Sequence, residues 1–418
     1  MQPKIYTYPE HGIAPEQIDP HAAQVIEKLK SAGHSAYLVG GGVRDLLLKR
    51  RPKDFDISTS AKPEEVRALF RNAILIGRRF RLAHVRFGSK IIEVSTFRAG
   101  DPETADLIVR DNEWGSAEED VLRRDFTING LFYDPHEGTV IDYVEGFSDL
   151  EKRTLRTIGQ PEARFAQDPV RMLRLVKFCA RFGFSIDPPT HSALLQCRHE
   201  IVKSSPARIL EELLRMLESG AAAPFFRLMH DYGLLAPLLP ELASFLGRDE
   251  YGLSFRLLEA LDAKCAKEQS APGDRALLLA TLLLPLFHER LSLHVNETGR
   301  LPHLGEIGVA ADRAIGQVFH PFFKLPRRLR AVGGAILTTQ YRFIPLDGTL
   351  PERIRAPRES SLPLALELFE LRCALEPELI PYYTQWTEAA FRARQAGEIP
   401  SEEEDHPPRR RRRRRRRR

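Results

Sequence analysis

Cysteine is scarce and scattered. The four residues, Cys179, Cys197, Cys265 and Cys373, include no Cys-x-x-Cys pair. Neither a zinc site nor a disulfide framework is therefore expected, and a cytoplasmic location suits this usage. Long apolar runs are missing too. The longest, residues 276–287, is too short to span a bilayer and contains Pro285, so a buried helix is expected there and no membrane span. The opening stretch MQPKIYTYPEHG has no apolar core, and a signal peptide is not expected. Two common phosphate-binding signatures are also absent. A dinucleotide fingerprint needs Gly where Asp45 stands, and a P-loop needs Gly-Lys-Ser/Thr, which the chain lacks.

What is present divides by charge. The formal net charge of +5 hides ten consecutive arginines at 409–418; removing them from the 62 Lys and Arg leaves 52 against 57 acidic residues, a balance of −5. Within residues 41–100 the trend reverses, with 14 Lys and Arg against 6 Asp and Glu. Such a field would hold a nucleic-acid phosphate backbone; the alternative is a solvated basic face. At 418 residues and 43% hydrophobic content, the chain can form two to four domains with real cores.

Residues 38–59, LVGGGVRDLLLKRRPKDFDIST, organise the rest. A short apolar strand at 36–39 runs into Gly40, Gly41 and Gly42, and a helix is expected from Val43 to about Lys49. A basic link leads to Asp54-Phe55-Asp56-Ile57. In a strand, Phe55 and Ile57 face one way and Asp54 and Asp56 the other. Two aligned carboxylates can hold divalent metal ions, and glycines before a helix let backbone approach phosphates. Alone, the first is usually a solvated face and the second a turn. Together within seventeen residues they read as a metal-assisted phosphoryl or nucleotidyl transfer site.

Around this unit, helices are predicted over 21–31 and 60–71, a strand over 74–76, and a hairpin of 81–87 with 90–97 about Gly88-Ser89. Glu93 is an acid in an otherwise apolar strand, either an edge or solvent-facing residue or a third metal-site carboxylate. Residues 100–109 read as a mobile loop. Ser116-Ala117-Glu118-Glu119 is a capping box, followed by the mixed charged and apolar run Arg123-Arg124-Asp125-Phe126-Thr127-Ile128-Asn129. A final hairpin joins 131–133 to 139–143. Beyond 156 helices take over. Asp168 is expected to cap a helix with Pro169 at its first position, Arg171 and Arg174 share a face, and Leu173 and Val176 point to the core. No repeat of fixed period occurs, and residues 392–418 are expected to be disordered.

GGGVRD followed by KDFDI resembles the class II nucleotidyltransferases, the family of CCA-adding enzymes and bacterial poly(A) polymerases. The resemblance covers about 30–240. It implies that Gly41 and Arg44 contact nucleotide and that Asp54 and Asp56 bind metal. From RRDFTIN it implies that Arg123 touches the nucleotide phosphates and that Asp125 is catalytic. From QDPVRMLR it assigns nucleotide-binding roles to Asp168, Arg171 and Arg174, with Gln167 standing where the family usually has Glu. The implied fold is α+β: a nucleotidyltransferase head with a small mixed sheet, then an all-α neck, body and tail. The expected divisions are a leader and helix at 1–30, the head at 31–156, a base- and RNA-binding neck at 157–240, a helical domain at 241–391 and a tail at 392–418. GRRFRLAHV at 77–85 and the arginine-rich end look like the poly(A) polymerase branch. That branch implies AMP transfer from ATP to RNA 3′ ends with two Mg²⁺ ions; the alternatives are a CCA-adding enzyme and a non-catalytic RNA-binding protein on the same fold.

Overall fold

Apolar alternation in the first 142 residues builds one sheet. The computed structural model describes residues 2–77, 82–99, 113–249, 252–268, 273–348 and 354–396. It divides into two compact units, Met1–Ser204 and Ser205–Arg418. In the first unit the strands are β1 (Lys4–Tyr6), β2 (Ala36–Val39), β3 (Asp56–Thr59), β4 (Ala73–Ile76), β5 (Leu82–Phe87), β6 (Lys90–Thr96), β7 (Leu131–Asp134) and β8 (Thr139–Asp142). They lie in the order β1-β8-β7-β2-β3-β6-β5-β4. All neighbours are antiparallel except β3 and β6, which run parallel. The leader is more than extended chain: it supplies edge strand β1, where Tyr6 stacks on Phe147 at 4.0 Å.

The two faces of the sheet differ. Leu38, Ile57, Ile92 and Val94 are buried, and helices Pro20–Ser31 and Pro63–Leu69 pack on the strands that carry them. The first helix starts where Asp19 accepts the N–H groups of His21 and Ala22, satisfying donors that have no partner within a first turn. On the other face Val39, Phe97, Val121, Phe132 and Ile158 form an apolar cluster. Asp56 and Glu93 lie on this second face, since Asp56 is opposite Val39 and Glu93. The predicted capping box is present, with Ser116 Oγ accepting Glu119 N–H and Glu119 accepting Ser116 N–H. Past the sheet the first unit is helical, apart from a short parallel pairing of Thr154–Leu155 with Ser185–Ile186.

The second unit is a stack of helices from Pro206–Leu217 to Ile380–Gln395. The apolar run at 276–287 lies in a longer helix than expected, Arg275–Thr298, which by length and composition alone could cross a bilayer. Ala276 through Phe287 are all buried within the unit, as in the core helix of a globular domain. At its start Arg275 is bonded to both Glu211 and Glu218. The last helix continues to Gln395, past residue 392 where the sequence predicts disorder. The rest of that tail, the predicted loop at 100–109 and the arginines of GRRFRLAHV lie outside the described residues.

Candidate active site

The chain leaves β2 and turns at Gly40, whose φ of 66° and ψ of −131° suit a residue without Cβ. Gly41 and Gly42 are already the first turn of helix Gly41–Leu47, so that helix starts two residues before the expected Val43. Gly42 sets a close approach. A Cβ there would lie 3.2 Å from the Asp54 carbonyl oxygen and 3.9 Å from Phe55 Cα. The glycine helix therefore packs directly on the backbone that leads into β3.

β3 begins at Asp56, not at Asp54, so the two acids do not share a strand as expected. Asp54 is exposed in the irregular segment before the strand, and Asp56 is partly buried. The parallel register sets Asp56 opposite Glu93 on β6. Because β6 lies between β3 and β5, Glu93 is not an edge residue. Its side chain is 44% exposed, with His84 Nε2 at 3.4 Å. Burial, then Glu93, then Asp54 push the Asp56 carboxyl up to about 6, while Arg124 pulls the other way.

This donor set suits a hard divalent cation. It is all oxygen, and crowding has left it short of positive charge. Among the described residues no group of three or more His, Cys, Asp or Glu side chains is placed to hold a metal ion together. Substrate oxygens and water would fill the rest of the shell, as is usual for Mg²⁺.

The segment after helix Ala117–Leu122 is held from several sides. Asp120 is fully buried and accepts Arg123 at 2.7 Å and Arg124 at 2.9 Å. Burial alone would raise its carboxyl, but Arg124 and Arg123 more than offset this and hold it below the usual range. Arg124 also donates to Ser58 Oγ on β3 and to the Asn129 carbonyl, and its Nη1 lies 3.4 Å from where a Cβ on Gly40 would be. Among the described residues it is the cation that acts on Asp56, and sequence reasoning passed over it in favour of Arg123. The only signal was the doubled arginine.

Asp125 accepts the Phe126 N–H at 2.9 Å, Asn129 Nδ2 at 3.1 Å and Arg174 Nη1 at 3.1 Å. Burial acts to raise its carboxyl, yet Arg174, these hydrogen bonds and Arg171 together hold it low. Asp125 is thus a carboxylate at neutral pH. Asn129 also accepts Arg44 Nη1 at 2.8 Å, which links the glycine helix to this segment. The family resemblance gives Arg44 a nucleotide contact. In the structure its guanidinium is buried, bonded to Asp45, and lies 5.1 and 4.9 Å from the rings of Phe178 and Phe182.

Asp168 stands between helices Pro161–Gln167 and Val170–Phe182. The cap position of the second helix is Pro169 and its first residue is Val170, so Asp168 lies one residue outside the expected cap. Its N–H bonds the Arg164 carbonyl and its own carbonyl accepts Arg171 N–H. Arg171 is buried and donates to the Arg164 carbonyl at 2.8 Å, whereas Arg174 is exposed and reaches Asp125. Leu173 and Val176 are in the core as expected. Two cavities of about 660 Å³ each lie within the second unit, and no residue of the four sequence motifs lines either one.

Comparison with known proteins adds the following. Residues 36–156 match the family described as Poly A polymerase head domain, and residues 183–246 match the one described as Probable RNA and SrmB- binding site of polymerase A. Poly(A) polymerase I of Haemophilus influenzae is 34% identical over 398 residues, which is 91% of this chain and 87% of that protein. The CCA-adding enzyme of Geobacillus stearothermophilus is 39% identical over 229 residues, 53% of this chain and 55% of that enzyme. The crystal structure of the Bacillus stearothermophilus CCA-adding enzyme in complex with CTP superposes with a TM-score of 0.63 at 30% identity, covering 89% of this chain and 82% of that one.

Proposed function

The chain belongs to the class II nucleotidyltransferases, the family of bacterial poly(A) polymerases and CCA-adding enzymes, and from that premise we propose that it adds AMP from ATP to RNA 3′ ends without a template. It is a nucleotidyltransferase; the choice of polyadenylation rests on coverage. The alignment with the Haemophilus poly(A) polymerase runs through most of both chains, while that with the Geobacillus CCA-adding enzyme takes in about half of each. The stretch at 77–85 and the arginine-rich end favour the same branch. We place the protein in the cytoplasm, with RNA 3′ ends and ATP as its partners.

In this reading the RNA 3′-hydroxyl attacks the ATP α-phosphate in line, the new O–P bond replaces the α–β bridge, and pyrophosphate leaves. Asp54 and Asp56 would hold two Mg²⁺ ions, which supply charge neutralisation and a more acidic 3′-hydroxyl when bound. The chain's own part is positioning and electrostatics. Gly41 presents backbone to the nucleotide. Arg123, with Arg124 beside it, faces the phosphates. Asp125, kept ionised by Arg174, fixes the carboxylate side of the site. Asp168 and Arg171 offer an acceptor and a donor to the edge of the base, and Arg174 supports them from the same helix. Arg44 acts from underneath by holding Asn129.

A CCA-adding reading is second, favoured by the likeness to the CTP-bound structure. One experiment separates them. The pure protein is given a tRNA lacking its CCA end or an oligo(A) primer, with each NTP alone and with CTP and ATP together. Long A ladders from ATP alone on both RNAs are expected. CTP incorporation followed by a single A on the tRNA, with oligo(A) left unextended, would replace polyadenylation with CCA addition. No incorporation of any NTP into either RNA would remove both and leave a non-catalytic RNA binder.

A further inference from the structure

Arg164 is almost fully buried, at 1% exposure, and its bonds run in two directions. Its side chain reaches the segment that carries Asp125: Nη2 donates to the Arg123 carbonyl at 2.6 Å and to the Arg124 carbonyl at 2.5 Å. The next carbonyl, that of Asp125, accepts Ile158 N–H at 3.1 Å, so three consecutive peptides are fixed. Its backbone serves the other direction. The Arg164 carbonyl accepts both Asp168 N–H at 3.3 Å and Arg171 Nη1 at 2.8 Å. One residue thus joins Asp168 and Arg171 to the backbone of Arg123 and Arg124.

The chemistry is unusual for a packing residue. Among the described residues all acceptors of the Arg164 side chain are neutral, two carbonyls and Gln167 Oε1 at 3.1 Å, and its buried Nε has no hydrogen-bond partner. Burial, with Arg171 adding to it, lowers the guanidinium to about 10, still protonated at neutral pH. An apolar side chain of similar volume would fill this space without the desolvation cost of a charge. The two hydrogens of one Nη2 serve both adjacent carbonyls, while Nη1 in the same plane reaches Gln167.

We propose that Arg164 is a positioning residue that couples the base-reading residues Asp168 and Arg171 to the phosphate-handling segment Arg123–Asp125. A base that seats correctly against Arg171 holds the Arg164 carbonyl, and the Arg164 guanidinium holds the Arg123 and Arg124 peptides in the productive register. A wrong base leaves Arg171 unengaged and that register looser. Base choice would then appear in kcat as well as in binding. The inference rests on the nucleotidyl-transfer reading and on the base-reading role given to Asp168 and Arg171.

The test measures kcat and KM for each of the four NTPs on one RNA primer, for the wild type, Arg164→Lys and Gln167→Leu, with thermal midpoints alongside. Lysine keeps the charge but has one nitrogen on a flexible stem, so it cannot hold both carbonyls and Gln167 in one plane. For Arg164→Lys, kcat with the preferred nucleotide should fall about 10- to 100-fold, the range for losing a charge-assisted contact. Its KM and the RNA affinity should stay within about threefold, and kcat with the other nucleotides should change little, so that discrimination in kcat shrinks. Gln167→Leu, which removes the Nη1 acceptor, should act in the same direction by about 3- to 10-fold, and it serves if Arg164→Lys does not fold. A uniform fall in kcat across all four nucleotides would reduce Arg164 to a structural role and overturn the coupling. So would a raised KM at unchanged kcat, or no change. If the wild type prefers a nucleotide other than ATP, polyadenylation fails while the coupling is still judged, against the nucleotide it does prefer.

Discussion

Asp56→Asn should make the metal-free protein more stable and the metal-loaded protein inactive. Burial, Glu93 and Asp54 raise the Asp56 carboxyl from its ordinary 3.8 to about 6. A raised carboxyl means that the folded state disfavours the ionised form. The native protein then binds more protons than the unfolded chain between about pH 4 and 6, so stability falls as pH rises through that window and stays lower above it. A shift of this size is worth about 3 kcal/mol at most. Asp56 is partly open to solvent, and screening reduces that to about 1–2 kcal/mol. Asparagine removes the charge and keeps the shape. In EDTA at neutral pH the variant should melt roughly 2–8 °C above the wild type for a unit of this size. It should also lose the stability gradient between about pH 4 and 6. Added Mg²⁺ should raise the wild-type midpoint and leave the variant where it was. Transfer activity should fall on the order of a thousandfold or more. Equal midpoints in EDTA would refute the charge-crowding account, and near-wild-type activity of the variant at saturating Mg²⁺ would refute the metal-site assignment.

Two further predictions use different parts of the chain. Gly42→Ala places a Cβ 3.2 Å from the Asp54 carbonyl; the entry to β3 must shift by a few tenths of an ångström, and kcat should drop about 10- to 100-fold with an unchanged circular dichroism spectrum. A kcat within about twofold of wild type would show that this approach carries no functional weight. Deleting residues 409–418 removes ten arginines from a chain that is otherwise −5. RNA binding should weaken and its log–log salt dependence should flatten by about 0.7 per lost phosphate contact, while nucleotide addition at low salt persists; an unchanged slope in binding isotherms would rule the tail out as an RNA contact.

The elements of the first unit are readable from short stretches because their causes are local. The Ser116 capping box, the turn at Gly88, and the alternation of Ile92 and Val94 with Glu93 each depend on a few neighbouring residues. The start of β3 does not. Alternation around Asp54-Phe55-Asp56-Ile57 allows a strand from Asp54, but the glycine helix packs on the Asp54–Phe55 backbone and pairing begins at Asp56. The meeting of Asp56 with Glu93 is also non-local. It needs β3 and β6 to be parallel neighbours across intervening strands β4 and β5, and no pattern inside either strand dictates that. Hence Glu93 could be noticed in the sequence but not placed.

Arg123 and Arg124 show where resemblance stops and environment begins. They are adjacent and chemically identical, and both bond Asp120. Arg124 also reaches Ser58 on β3, two residues from Asp56 on the same face, and among the described residues it is the cation that acts on the Asp56 carboxyl. Arg164 grips the carbonyls of both, which fixes the direction in which each side chain leaves the backbone. A motif transmits residue identity and order. It does not transmit which arginine is turned toward the acids, because that choice is made by a carboxylate three and four residues upstream and a guanidinium some forty residues downstream. Arg44 is likewise set by its surroundings: the resemblance implies a nucleotide contact, and in the structure two phenylalanine rings and Asn129 surround its guanidinium. Its hydrogen bond to Asn129 ties it to Asp125, which Asn129 shares with Arg174.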